Sequence, residues 1–204
     1  MSTFGKAVFS RRLGAAIAIV LLVASCASAP PPAAPAGVSF EARPPIRLAI
    51  AFITVDAHFT PSGRAPYVEH LHKVTPESVA RSWAQARLVA TGGAGTASLA
   101  ILDGTVISEE LEKKGGLTGV FGDQQDARLK ARLKARLTVE RPDESGGSSS
   151  WTAEVDAFAE RTVLESASLN ERDEAYAALM QTLATKFDNA LSAEIQRSMG
   201  PALR

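Results

Sequence analysis

Ala127-Arg128-Leu129-Lys130-Ala131-Arg132-Leu133-Lys134-Ala135-Arg136-Leu137 is the stretch whose conformation decides the fold. Every residue type in it is a strong helix former, so propensity alone assigns a helix. Periodicity assigns the opposite. In a helix the leucines and the alanines, each recurring at every fourth position, would lie on nearly opposite sides and leave no single apolar stripe. In a strand, Ala127, Leu129, Ala131, Leu133, Ala135, Leu137 and Val139 share one face, and Arg128, Lys130, Arg132, Lys134 and Arg136 share the other. The stretch therefore reads as a strand with one buried and one solvated face.

Downstream, Pro142 to Ser150 is a polar, Gly/Ser-rich loop, and Trp151 to Val163 alternates again, with Trp151, Ala153, Val155, Ala157 and Ala159 on one parity. A regular hairpin pairs Val139 with Trp151. Arg136 then stands opposite Glu154, Lys134 opposite Asp156 and Lys130 opposite Glu160. Opposite charges across strands contribute roughly 0.2–1 kcal/mol per pair and help fix register. The five cations are accounted for as a solvated charge ladder. The competing reading is an anion-binding face, suited to a partner such as lipid A phosphates, with Arg128 and Arg132 as its candidate contacts.

Upstream, Ile46 to Val55 is an almost continuous apolar run, as expected of one strand covered on both faces. Thr75-Pro76-Glu77 supplies a hydroxyl N-cap, a proline at the first helical position and an acid in the first turn. Val79, Trp83, Ala86 and Ala90 recur on one face of the ensuing helix, which Gly92-Gly93 is expected to end. Ala97 to Glu112 reads as a strand with Leu99, Ile101 and Ile107 on one parity and a bulge at Asp103-Gly104. The chain closes with a long amphipathic helix, capped at Asn170, whose stripe is Tyr176, Leu179, Met180, Leu183, Phe187, Leu191 and Ile195. The order is β-α-β-β-β-α. The expected fold class is α+β: a two-layer sandwich of a mostly antiparallel four-stranded sheet with both helices on one face.

The N-terminus is not part of that fold. Lys6, Arg11 and Arg12 precede an apolar run from Leu13 to Val23, and small residues lead to Cys26, the layout of a secretory signal. The run is about half the ~20 residues a membrane-spanning helix needs. Val23-Ala24-Ser25-Cys26 resembles the lipobox of bacterial lipoprotein precursors, which implies cleavage after residue 25 and a covalent diacylglycerol plus N-acyl lipid on Cys26. Ala27, where an aspartate would favour retention at the inner membrane, resembles lipoproteins sent to the outer membrane. Residues 26–44, with Ser28-Ala-Pro-Pro-Pro-Ala-Ala-Pro-Ala-Gly37 at their centre, read as an extended tether, and residues 45–200 as one periplasmic domain.

Composition narrows the function. Cys26 is the only cysteine, so disulfides, thiolate catalysis and cysteine metal sites are excluded from the mature domain. Setting aside the three signal-peptide cations leaves 19 basic against 22 acidic residues, a net −3 that gives no global basic field for nucleic acid. His58, His70 and His72, with Asp56 nearby, form at most a weak zinc pattern and read as surface or capping residues. No G-x-S-x-G, H-E-x-x-H or phosphate-loop motif occurs, so no enzyme and no cofactor are expected. Between Lys113 and Gly122, Leu117, Val120 and Phe121 are apolar residues set among glycines at a hairpin tip; they either tuck over the sheet edge or form a partner contact.

The lipobox, the proline-rich spacer, the element order, Leu99-Ala-Ile-Leu-Asp-Gly-Thr-Val-Ile107 and Trp151-Thr-Ala-Glu-Val-Asp-Ala-Phe-Ala-Glu-Arg161 together resemble two groups of small envelope lipoproteins. One is the lipopolysaccharide-assembly lipoprotein that plugs the outer-membrane translocon; the other is the ABC-transport auxiliary lipoproteins. The resemblance implies a non-enzymatic, outer-membrane-anchored accessory of a transport or assembly machine, with an envelope protein as partner. The alternative from another class is a carrier holding a lipid or small molecule between helix and sheet. A metal-dependent hydrolase is a more distant third.

Overall fold

A computed structural model describes residues 37–40, 42–111, 125–143 and 145–203, with side chains at 125 and 126 excepted. Its centre is the hairpin read above. β4 (Thr96–Glu110), β5 (Gln125–Pro142) and β6 (Ser148–Leu164) form an antiparallel meander, with β2 (Phe52–Ala57) parallel to β4 at the edge, in the order β2-β4-β5-β6. Val139 pairs with Trp151, Arg136 with Glu154, Lys134 with Asp156 and Lys130 with Glu160, the register expected from the loop and the parity. Leu129, Ala131, Leu133, Ala135, Leu137 and Val139 are all buried.

The parity of β4 departs from expectation. The register slips between Ile101 and Asp103, so Leu102 is the extra residue and everything beyond it changes face. Val106 is therefore buried and Ile107 lies on the solvent side with Lys130. Gly104 fits here because a Cβ would meet the Phe59 ring at 2.8 Å and the Glu77 backbone nitrogen at 3.3 Å.

The apolar run at Ile46–Val55 is two strands, not one. β1 (Ile46–Leu48) pairs in parallel with β3 (Leu88–Ala90), a second sheet. At Ala49–Ala51 the chain jogs and changes neighbours: the Ala49 N–H donates to the Ala202 carbonyl and the Ala51 N–H to the Gly95 carbonyl. Leu48 and Ile50 are fully buried, whereas Phe52 on the half-covered edge strand is 55% exposed. α1 (Pro76–Arg87) starts as read, with Thr75 and Ser78 forming a reciprocal capping box, but ends before Leu88 because Leu88–Ala90 pair with β1.

α2 (Leu169–Ser198) is capped by Ser168, whose hydroxyl accepts from the Glu171 N–H while the Glu171 carboxylate accepts from the Ser168 N–H; Asn170 already lies inside the helix. Its expected stripe, Tyr176 to Ile195, is buried throughout. α2 packs over β6 and β5, and α1 over β4 and β5, on the same sheet face. Trp83 meets Phe187 edge-to-face, with ring centroids 5.6 Å apart, where the helices touch. The class is α+β, as expected. The packed part begins earlier than Pro45: Phe40 is buried in the core and Val38 packs against it.

Candidate binding surface

The solvent face of the sheet carries the charge ladder, and its ion pairs run partly along diagonals. Arg136 binds Glu154 at 2.7 Å as its register dictates, but Lys134 also takes Glu154, at 2.9 Å. Asp156 is held by the Arg132 fork at 2.9 and 2.6 Å, and Lys130 reaches back to Glu109 on β4 at 2.7 Å. Long side chains span the diagonal as readily as the direct pair. Hydrogen bonds from Arg132 lower the pKa of Asp156, and those from Lys134 and Arg136 lower that of Glu154.

Within this ladder lies a shallow groove of about 300 Å³, floored by Thr105 and Ile107 and walled by Tyr67, Lys130, Arg132 and Phe158. Tyr67 bridges to Ile107 as a short extension of the sheet beyond β2. Phe158 is 52% exposed, and the Arg132 guanidinium lies 5.2 Å from its ring centroid. The groove thus combines two aromatic rings, one aliphatic side chain and cations already neutralised by carboxylates. It is suited to a mixed apolar and polar protein surface more than to a bare anion.

A second concavity, of about 310 Å³, lies beside the first half of α2, lined by Val38, Leu71, Val74, Tyr176 and Met180 with Lys73 and Asp173 among its polar residues. His72 stacks on Tyr176, ring centroids 3.5 Å apart, with Nδ1 3.8 Å from Asp173. Burial lowers the His72 pKa, against the opposing pull of Asp173. Beneath it, buried Glu69 accepts the Val106 N–H at 3.0 Å through Oε2; its Oε1 and the Tyr176 hydroxyl, both buried, have no hydrogen-bond partner among the described residues. Burial, and then Glu69, push the Tyr176 phenol pKa well up.

Of the residues singled out from sequence, Cys26, Leu117, Val120 and Phe121 lie outside the described residues. Arg132 is committed to Asp156 and Asp103, which argues for the ladder at that position. Arg128 sits at the Glu109 register position and near Glu160 and Arg161. His58 and His70 are exposed and His72 is the stacked residue just described; among the described residues no three His, Cys, Asp or Glu side chains are grouped to hold a metal. Among the described residues no helix is long and apolar enough to cross a membrane. Sequence reading passed over Tyr67 and Phe158. Phe158 did carry a signal, as the one large apolar residue on the parity of Glu154, Asp156 and Glu160.

No protein-family model matches the chain, and no curated protein matches its sequence. Solved structures similar to it include the following two. A minor lipoprotein from Acinetobacter baumannii aligns with a TM-score of 0.37 and 17% identity over 74% of this chain and 96% of that one. A Xanthomonas campestris protein of the DUF330 family aligns with a TM-score of 0.29 and 8% identity over 79% of this chain and 95% of that one.

Proposed function

We propose that this chain is the precursor of an outer-membrane lipoprotein, acylated at Cys26, whose periplasmic domain is a non-enzymatic accessory component of a membrane transport or outer-membrane assembly machine. The observation that carries the reading is the succession of an export signal, Val23-Ala24-Ser25-Cys26 and a proline-rich tether that runs directly into Val38 and Phe40, where packing begins. Acyl chains on Cys26 supply the membrane link, each buried CH₂ adding about 0.8 kcal/mol. The solvent face of the sheet supports a protein partner. Phe158, Ile107 and Tyr67 place apolar surface amid ion pairs, the mixture found where one protein docks on another. Leu117, Val120 and Phe121 are proposed as further partner contacts.

The test is recovery of tagged full-length protein from its own membranes, wild type against Cys26→Ala, with mass spectrometry of what co-purifies. A barrel or transporter component recovered with wild type and reduced by Phe158→Ser or by Leu117→Ser/Phe121→Ser supports the reading. Unchanged recovery with both variants removes these contact surfaces. The carrier reading has one observation in its favour, the apolar-lined concavity beside α2; it lies outside the helix–sheet layer, which is filled by Leu133, Leu137, Leu183 and Phe187. Lipid found by mass spectrometry in the delipidated domain would favour it.

A further inference from the structure

The first packed residues run along α2. Val38 lies in the concavity formed with Tyr176, Ala177 and Met180, whereas Phe40 and Arg43 lie beside Gln181, Thr185 and Asp188. Followed backward from Arg43 to Val38, the chain therefore moves toward the N-terminal end of α2. Gly37, where the described chain begins, lies toward that end.

The same end carries the two most exposed large apolar side chains among the described residues, Leu169 at 81% and Leu71 at 68%. Leu169 is one helical turn before Asp173, which lines the concavity together with Leu71, so the two leucines flank one opening. Phe52, Val89 and Phe158, the other exposed large apolar residues, lie on strands.

From these observations we propose that the Leu71/Leu169 end is the membrane-facing end of the domain, and that both leucines seat in the bilayer holding the acyl chains of Cys26. The proposal rests on the lipoprotein reading above. Chain length favours this orientation. Cys26 to Val38 is 12 residues, a length whose reach at 3.1 Å per residue is about 37 Å. Val38 lies near the level of Ala177, so seating Leu169 on the bilayer asks the tether to span only about 12 Å at 1.5 Å per helical residue. Seating the Ser198 end asks for about 32 Å, close to the full reach and entropically costly. Charge names the lipid: Lys73 and Arg172 stand against Glu171, Asp173 and Glu174 at this end, a slightly acidic surface with no attraction for anionic lipid, so the bilayer face is zwitterionic and the contact is apolar. Two leucines do not recruit a soluble protein; the tether holds them at a local concentration on the order of millimolar.

The lone cysteine makes the test direct. Once the Cys26 sulfur is tied up in a thioether to diacylglycerol, Leu71→Cys, Leu169→Cys and Gln196→Cys each present one free thiol for an environment-sensitive fluorophore. In the full lipidated protein reconstituted in phosphatidylcholine vesicles, labels at 71 and 169 are expected to shift to the blue. A lipid-borne quencher should quench them several-fold more than the label at 196, unchanged between low and high salt. A label at Lys73→Cys should lose its quenching when Leu71→Gln/Leu169→Gln is added. Equal quenching at all three positions, stronger quenching at 196, or a blue shift without lipid quenching overturns the orientation. An unacylated Cys26 in the intact mass overturns the lipoprotein reading itself, and the orientation with it.

Discussion

Asp188 is a carboxylate 2% exposed in the middle of α2, and four groups converge on it: the Trp83 indole N–H at 2.7 Å, Arg87 and Arg43 at 3.0 Å each, and the Ser192 hydroxyl at 3.2 Å. Asp188→Ala would strand the Arg87 charge and the Trp83 donor inside the protein, and breaking such a buried pair costs about 3–5 kcal/mol; urea denaturation should show it as a lowered midpoint at unchanged slope. Tyr176 makes the converse case. Its buried hydroxyl lacks a partner among the described residues, so Tyr176→Phe is expected to leave stability unchanged or raise it by up to about 1–3 kcal/mol in the same assay. His72 gives a pH signature. Its folded pKa lies below the ordinary 6.5, so as pH falls below 6.5 the unfolded chain takes up the proton first and stability drops. His72→Gln should flatten the stability-against-pH curve just below 6.5. None of these roles was legible in the sequence. A histidine before Lys73 or an aspartate in an amphipathic helix announces itself only when residues about a hundred positions away are brought beside it.

At the scale of elements, β5 shows why pattern outranks propensity: its helix-forming composition yields to a two-residue alternation that buries Leu129 through Val139 on one side. Its register was legible too, because a slip of one residue would invert every leucine and every cation together. The Leu102 bulge was only half legible; Asp103-Gly104 marked the place, but its effect on the parity of Ile107 depends on what presses on Gly104 from Phe59 and Glu77. The split of the first strand was not legible, since the carbonyls of Gly95 and Ala202 that draw the chain aside come from distant segments. Two substitutions probe these points. Gly104→Ala sets a methyl 2.8 Å from the tip of the Phe59 ring, which can turn aside, and 3.3 Å from the Glu77 nitrogen, so a modest destabilisation is expected, read as a lower thermal midpoint with the far-ultraviolet spectrum kept. Ser168→Ala, removing the α2 cap, is expected to cost about 1 kcal/mol.

Across the whole molecule, the two sheet faces respond to different variables. The helix-covered face is a filled apolar layer, whereas the open face is held by carboxylates whose folded pKa values are depressed by Arg132, Lys134 and Arg136. A depressed carboxylate contributes its stability fully above its ordinary pKa and loses it as pH falls through the folded value. Stability should therefore fall below about pH 4, and Asp156→Asn should shrink that fall in acid titration followed by chemical denaturation. The salt bridges of the open face should also weaken with ionic strength, as exposed pairs do. The place where the chain joins the domain has a mechanical meaning as well. Because Phe40 is wedged into the core and Arg43 grips Asp188, a pull delivered through the tether loads the seam between α1 and α2 before any ladder of the sheet. The long strands are thereby shielded from tension, and the residues just after the spacer act as the strain relief of the whole assembly.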